Sequence, residues 1–159
     1  MPNRPDAGLV STDVSDVLAR LRRGGLAAIP TETVYGLAAD AEQPDAVRRI
    51  FEVKGRPSGH PLIVHISGLA AIDGWVVSVD DDIDDSMVRL AEACWPGPLT
   101  MVLPRGPRVI DAITGGRPTV GIRVPAHAMT LELLERHGGG LAAPSANRFG
   151  KVSPTTAQH

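Results

Sequence analysis

The 159-residue chain is poor in cysteine, in aromatic residues and in net charge, and each shortage narrows the classes of protein it can belong to. Its single cysteine, Cys94, excludes an intramolecular disulfide and a metal site built from several cysteines. Aromatic residues make up 3% of the sequence, so the core must be built from Val, Leu, Ile and Ala. A formal net charge of -2 gives no overall attraction to nucleic acid, although a local basic cleft stays compatible with it.

Long hydrophobic runs are missing too. No apolar stretch approaches the roughly 18 residues that a membrane-spanning helix needs. The N-terminus carries Asp6 and lacks the apolar segment of a signal peptide. We therefore expect a cytoplasmic location and no membrane partner. Phosphate-binding loops of the GxxxxGK[ST] and GxGxxG types are also absent, so any nucleotide must be held in another way.

Composition and hydrophobic pattern predict one α/β domain over residues 1–159. The chain is 43% hydrophobic and 21% charged, which is typical of a globular domain long enough to bury a core. The pattern predicts helices over 14–21, 44–53, 83–94 and 127–136, and strands over 26–29, 62–66, 99–103, 120–124 and 141–143. In the third helix it turns Met87, Leu90, Ala91 and Cys94 inward. Such alternation favours a parallel or mixed sheet.

Residues 30–37, Pro-Thr-Glu-Thr-Val-Tyr-Gly-Leu, form a dense polar segment directly behind the strand predicted at 26–29. The segment offers two hydroxyls, a carboxylate and a phenol at a strand end, where open α/β sheets usually bind their ligands. We therefore expect it to contribute side chains to a binding site.

Lys54 and Arg56 lie between a predicted helix and the next predicted strand. In an extended segment, residues two apart face the same way, so both cations can meet one anion. Arginine offers a planar fork to phosphate or carboxylate, and lysine offers a compact point charge. The alternative is a pair of solvated surface cations.

Ser145 and Asn147 show the same spacing after the strand predicted at 141–143, where a turn built on Pro, Ser and Asn is the alternative. His65 lies near the end of another predicted strand, in a structural or a functional role. Arg123 has apolar neighbours in its strand, so it faces the opposite side of the sheet from them. An exposed sheet face is the alternative for Arg123.

The order and spacing of five segments resemble the YrdC-like family, the threonylcarbamoyl-AMP synthases. The segments are 30–37, 54–65, 95–103, 120–125 and 143–155, and the resemblance covers 26–158. It implies a twisted mixed α/β sheet with flanking helices around a deep, basic, concave cavity. It also implies a nucleotidyltransferase that forms threonylcarbamoyl-AMP and pyrophosphate from L-threonine, bicarbonate and ATP, for threonylcarbamoyladenosine in tRNA. tRNA itself or a downstream threonylcarbamoyl-transferase complex is the implied macromolecular partner.

The resemblance also implies roles for individual residues. The L-threonine site would comprise Thr33, His65, Arg123 and the backbone around Ala143, while Thr31 and Glu32 only shape the turn. A catalytic tetrad of Lys54, Arg56, Ser145 and Asn147 would surround the triphosphate and the reacting carboxyl group. The ATP contacts would be Arg56, His60, Thr119, Ser145 and Ser153. Mg²⁺ would accompany the phosphates, without a side-chain metal ligand from the protein.

Two features depart from the family pattern. His60 stands where the family commonly has Asn; a histidine can also donate a hydrogen bond, so the nucleotide contact can persist with a different strength and pH dependence. The sequence also stops at His159, before the strands and the Ser-Thr motif with which family members usually continue. We expect weak or absent synthase activity from residues 1–159 if nothing supplies that part.

Two other functions compete with the synthase. A non-catalytic RNA-binding module is one, and the net charge of -2 argues against it. Carbamoyl-adenylate chemistry of the hydrogenase-maturation type (HypF) is the other. Such domains lie in longer chains with zinc-finger parts, which one cysteine cannot supply here.

Overall fold

The computed structural model of the protein describes residues 10–159, with the side chains of 81–83 left aside. Within that range the strands are β1 (Ala27–Ile29), β2 (Gly36–Asp40), β3 (Ile63–His65), β4 (Met101–Pro104), β5 (Thr119–Arg123) and β6 (Leu141–Ala142). The helices are α1 (Val14–Arg22), α2 (Pro44–Lys54), α3 (Asp81–Cys94), α4 (Asp111–Thr114) and α5 (Ala128–His137). A short 3₁₀ turn covers Leu69–Ala71. None of the helices over 10–159 is long and apolar enough to cross a membrane.

The strands form one mixed sheet in the order β1-β2-β6-β3-β5-β4. β3 and β5 run parallel, and the other neighbouring pairs run antiparallel. The parallel register aligns His65 with Arg123, so the carboxyl ends of β3 and β5 meet at one edge of the sheet. The predicted mixed α/β sheet is confirmed.

Helices flank both faces of this sheet. Ala38 of β2 packs into a cluster with Leu18 of α1 and Leu133 of α5. The next residue, Ala39, packs into a second cluster that includes Ile50 of α2. Because successive strand residues point to opposite faces, the two clusters lie on opposite sides of the sheet. Each fully buried aliphatic side chain contributes about 1.5–3 kcal/mol to the stability of this arrangement.

α2 ends with Lys54 and leads to Arg56, and its sequence explains its bounds. Pro44 occupies the first turn, where its missing N–H costs no hydrogen bond. Val47 and Ile50 are fully buried on one face of the helix. Gly55 ends the helix in the left-handed region with φ 61°, a conformation that glycine adopts without a steric penalty.

β2, α4 and the short 3₁₀ turn were not predicted, and Leu90 was wrongly predicted to face inward. β2 has the sequence Gly-Leu-Ala-Ala-Asp, whose residues have little strand propensity, and its pairing with β1 and β6 makes it a strand. α4 has four residues, too few to show a helical period. Leu90 of α3 is 45% exposed instead of inward.

Candidate functional site

Arg123, at the end of β5, joins two distant parts of the chain. Its neighbours Ile122 and Val124 are buried in the core, while its own side chain lies on the other face and is only 11% exposed. This confirms the predicted facing and excludes an open sheet surface. The guanidinium donates from Nε to the carbonyl of Gly97 at 3.2 Å and from Nη2 to Oγ1 of Thr33 at 3.2 Å.

Glu32 forms an ion pair with Arg123, so the prediction that it only shapes the turn is wrong. One carboxylate oxygen accepts from Arg123 Nη2, and the other accepts from the backbone N–H of Ala126 at 2.9 Å. Burial alone would raise the pKa of Glu32, but the hydrogen bonds from Ala126 and Arg123, with the charge of Arg123, outweigh burial and lower it. The carboxylate is therefore held in its charged form.

Thr31 does shape the turn, as predicted. Its hydroxyl oxygen accepts from the backbone N–H of Thr33 and of Val34, each at 3.2 Å, and its hydroxyl donates to the carbonyl of Val34 at 2.6 Å. These bonds fix the backbone that carries Glu32 and Thr33.

His65 lies beside Arg123 and is 3% exposed. Burial, and then the positive charge of Arg123, lowers the pKa of His65 to about 4, against weaker opposing contributions from the Ile63 carbonyl and the Glu32 charge. The imidazole is therefore neutral at neutral pH. Its Nδ1 is buried and has no hydrogen-bond partner among the described residues.

The segment after β6 runs antiparallel beside the polar segment 30–37. Gly36 and Ser145 form a bridge, and an added Cβ on Gly36 would come within 3.3 Å of the Cβ of Ala143. The backbone of Tyr35 accepts from Ala146 N–H at 2.8 Å and donates to the carbonyl of Pro154 at 2.9 Å. Three segments from the two ends of the sequence therefore meet here.

Lys54 forms hydrogen bonds to the segment after β6 through both its side chain and its backbone. Its buried ammonium donates to the carbonyls of Ser145 and Asn147, and its own carbonyl accepts from Phe149 N–H at 2.8 Å. The extended geometry predicted for Lys54 and Arg56 is wrong, because Lys54 is the last residue of α2 and Gly55 turns the chain. Burial, and then the positive charge of Arg56, lowers the pKa of Lys54.

Arg56 lies at the edge of the same loop. Its Nη2 donates to the carbonyl of Pro61 at 3.0 Å, and its guanidinium carbon is 6.0 Å from the ring centre of Phe149. The ring of His60 meets that of Phe149 edge to face, with centres 5.4 Å apart. Burial lowers the pKa of Arg56. Its Nε is buried without a partner among the described residues.

Asn147 contributes a hydrogen-bond acceptor, its side-chain Oδ1, to the same loop as the Arg56 Nε donor. Its Nδ2 donates to the carbonyls of Arg148 at 2.8 Å and Lys151 at 2.7 Å, which closes the loop. Its Oδ1 is buried and has no partner in the described part of the chain. Buried polar atoms are rarely left unpaired, so the Nε of Arg56 and the Oδ1 of Asn147 are candidate contacts for a ligand.

Two further predicted ATP contacts, Thr119 and Ser153, lie in different parts of the fold. Thr119 begins β5, at the opposite end of that strand from Arg123. Ser153 directly precedes Pro154, whose carbonyl is bonded to Tyr35. Over residues 10–159, no recorded hydrogen bond links the side chain of either residue to the tetrad.

Sequence reasoning missed Phe149 and the role of Glu32. The carboxylate of Glu32 lies in the segment expected to contribute to a site, but its pairing had no signal, because its partner Arg123 is 91 residues away in sequence. Phe149 had one: it is an aromatic residue in an aromatic-poor chain, between Asn147 and a glycine. It is 45% exposed.

Two grooves of about 380 and 320 Å³ lie along α3 and β4 and are lined mainly by apolar residues. No residue of the polar site lines either groove, so the deep basic cavity implied by the resemblance stays a prediction. Among the side chains described over 10–159, no group of three or more His, Cys, Asp or Glu is placed to hold a metal ion.

Comparison with known proteins identifies the family of this chain. The sequence model of the Sua5/YciO/YrdC family, described as telomere recombination, matches residues 19–159. The chain belongs to this family. A threonylcarbamoyl-AMP synthase of Pyrococcus abyssi is 48% identical over 139 residues, which are 87% of this chain and 40% of that relative.

Solved structures of family members share the fold. The crystal structure of P. abyssi Sua5 complexed with L-threonine matches with a TM-score of 0.85 and 46% identity, over 92% of this chain and 42% of that one. A full-length HypF structure matches with a TM-score of 0.76 at 18% identity, over 91% of this chain and 22% of that one, which shows a common fold alone. The chain spans about two fifths of the length of the first curated relatives.

Proposed function

We propose that this member of the Sua5/YciO/YrdC family is a threonylcarbamoyl-AMP synthase. It would form threonylcarbamoyl-AMP and pyrophosphate from L-threonine, bicarbonate and ATP, and the product would serve threonylcarbamoyladenosine formation in tRNA. The names of its relatives and the L-threonine complex of P. abyssi Sua5 support this proposal.

The hydrogen bond between Arg123 and Thr33 is the observation that carries the proposal. It joins a guanidinium and a hydroxyl at a sheet edge, and together they suit an amino acid. Arg123 would bind the carboxylate of threonine. The neutral His65 and the backbone around Ala143 would complete the pocket, since an uncharged imidazole can accept a hydrogen bond from the substrate hydroxyl.

The tetrad would hold the triphosphate beside that pocket. Lys54 has one ammonium N–H beyond the two that bind carbonyls, and Arg56 and Asn147 have a free donor and a free acceptor. The amine of threonine and bicarbonate would first give a carbamate with loss of water. One carbamate oxygen would then attack the α-phosphorus, and the bond to the pyrophosphate would break. The protein contributes positioning and charge neutralisation, and no covalent nucleophile is needed.

Mg²⁺ would enter this site with the phosphates of ATP, where it neutralises their charge. The site is compatible with such a partner, because Asn147 Oδ1 is an unpaired carbonyl oxygen, a ligand type that suits Mg²⁺. Thr119, Ser153 and His60 would also contact ATP. The product would pass to tRNA or to a downstream threonylcarbamoyl-transferase complex.

Calorimetric titration of residues 1–159 with Mg·ATP and with L-threonine tests the proposal. We expect both ligands to bind, Arg123→Met to remove threonine binding alone, and Arg56→Met to weaken ATP binding alone. Arg148→Met is the matched control, because that arginine is exposed. Pyrophosphate release that requires threonine, bicarbonate and ATP together supports catalysis.

Other outcomes point to the competing functions. Pyrophosphate release with carbamoyl phosphate and without threonine would indicate chemistry of the HypF type. Steeply salt-dependent tRNA binding without binding of either small ligand would indicate an RNA-binding module.

A further inference from the structure

The carboxylate of Glu32 holds the guanidinium of Arg123 from a fixed position. One carboxylate oxygen accepts from Arg123 Nη2, and the other is anchored by the backbone N–H of Ala126 at 2.9 Å. The two side chains are 24% and 11% exposed, so water screens the pair only weakly. Hydrogen bonds with a charged partner are roughly twice as strong as neutral ones.

An inventory of the donors shows what this contact does to Arg123. A guanidinium has five N–H donors in a rigid plane. Nε donates to the carbonyl of Gly97, and the two N–H groups of Nη2 go to Glu32 and to Thr33. For Nη1, no partner is recorded among residues 10–159. One edge of the plane is therefore held, and the edge at Nη1 is left for a ligand.

Two roles for Glu32 are compatible with an ion pair to a substrate-binding arginine. It can position the guanidinium, or it can occupy the place of the substrate carboxylate and leave when threonine arrives. The anchoring favours positioning. Leaving would break the bond to Ala126, and the turn fixed by Thr31 holds the backbone of Glu32 in place.

We propose that Glu32 is a positioning residue that fixes the plane of Arg123, so that its Nη1 edge receives the carboxylate of the amino acid substrate. This rests on the proposed function. Glu32 makes no contact with the substrate and acts through Arg123. Its loss therefore weakens threonine binding and leaves ATP binding as it is.

The test compares Glu32→Gln and Glu32→Ala with wild type and with Glu52→Gln. Glu52 is an exposed glutamate of α2 that pairs with Arg48. Glu32→Gln keeps the shape of the side chain, which guards against a folding defect. The first measurement is the ¹⁵N NMR signal of Arg123 Nε in the ligand-free protein. We expect an ordered Nε in wild type and Glu52→Gln, and a mobile one in Glu32→Ala.

The second measurement is calorimetric affinity for L-threonine and for Mg·ATP. We expect about a tenfold weaker affinity for threonine in Glu32→Gln and a larger loss in Glu32→Ala, with unchanged affinity for ATP. Unchanged threonine affinity with an ordered Arg123 would overturn the proposal. Tighter threonine binding by Glu32→Ala would also overturn it, because that result identifies a competing carboxylate.

The two proposals fail in different ways. If wild type binds no threonine, the synthase function and the substrate role of Arg123 both fall, and the Nε signal still shows whether Glu32 orders the guanidinium. If wild type binds threonine and the Glu32 variants match it in both measurements, only the positioning role falls.

Discussion

The backbone N–H of Phe149 donates a hydrogen bond to the carbonyl of Lys54 at 2.8 Å. The ammonium of the same lysine binds the carbonyls of Ser145 and Asn147. Lys54 therefore stabilises the loop after β6 through both its backbone and its side chain. A cation proposed to meet phosphate therefore also builds the loop that surrounds the phosphate.

Replacing Lys54 should affect stability as well as ligand binding. Lys54→Met keeps an unbranched chain of similar length but leaves two carbonyls without their donor. We expect the free energy of unfolding in urea to fall by about 1–3 kcal/mol and ATP binding to be lost. The control is Lys151→Met, because the sequence has two lysines and Lys151 is the exposed one. A Lys54→Met variant as stable as wild type would contradict this stabilising role of Lys54.

His65 should make stability depend on pH in a defined window. Its pKa is lowered in the folded state from 6.5 to about 4, so between these values the unfolded chain binds a proton that the folded chain does not. Wild-type stability should therefore be complete above pH 6.5 and fall as the pH drops to 4, by about 3 kcal/mol from this group.

His65→Gln should lack this contribution. Urea unfolding at several pH values checks it: the stability difference between wild type and His65→Gln should change below pH 6.5 and stay constant above it. A constant difference down to pH 4 would show that His65 is protonated in the folded state.

Phe149 should matter for the nucleotide more than for the fold. Phe149→Ala removes the ring that lies beside Arg56, and an exposed cation–π contact contributes about 0.5–1 kcal/mol. We expect a two- to fivefold weaker affinity for Mg·ATP, on the order of that energy, with unchanged affinity for threonine. Val152→Ala is the control, since Val152 is 93% exposed in the same loop. Equal loss of both affinities would point to loop disorder instead.

Gly140 should tolerate no side chain. An added Cβ would lie 2.6 Å from Cζ2 of Trp75 and 2.7 Å from Cγ1 of Val64, and both of these side chains are fully buried. We expect Gly140→Ala to lower the free energy of unfolding by about 1–3 kcal/mol. At Gly139 the nearest atom is 3.1 Å away on the flexible side chain of Glu42, so Gly139→Ala should cost less. If both variants lost the same free energy of unfolding in urea, the core around Trp75 would be able to rearrange around the added methyl group.

Local signals in the sequence predicted much of the fold. α2 was predicted over 44–53 and covers Pro44–Lys54, because Pro44 and Gly55 mark its two ends in the sequence itself. The strand around Val64 followed from a largely apolar run, and the strand around Ile122 from the apolar residues on either side of Arg123. β2 could not be predicted this way, since its strand conformation comes from neighbours that lie far away in sequence.

For the site, local rules in the sequence predicted the direction of one side chain but not the contacts between distant residues. The facing of Arg123 followed from strand alternation, which is a local rule. The pairing of Glu32 with Arg123 is set by tertiary packing, as is the route of Lys54 to the carbonyls of Ser145 and Asn147. The segment from Lys54 to Arg56 is not extended, because the helix continues to Lys54 and Gly55 then turns the chain. The hydrophobic pattern did not reveal this helix end.

The position of β6 constrains how the chain can fold during synthesis. β6 comes last in sequence among the strands described over 10–159, yet it lies between β2 and β3 in the sheet. Until Leu141–Ala142 is made, no strand pairing joins the hairpin of β1 and β2 to the β3-β5-β4 half of the sheet. The pairing of β6 with β2 joins residues that are far apart in sequence, and such non-local pairing is slow to form. Ser145 and Asn147 follow β6 within a few residues, so a nascent chain gains its completed sheet and its ligand loop almost together.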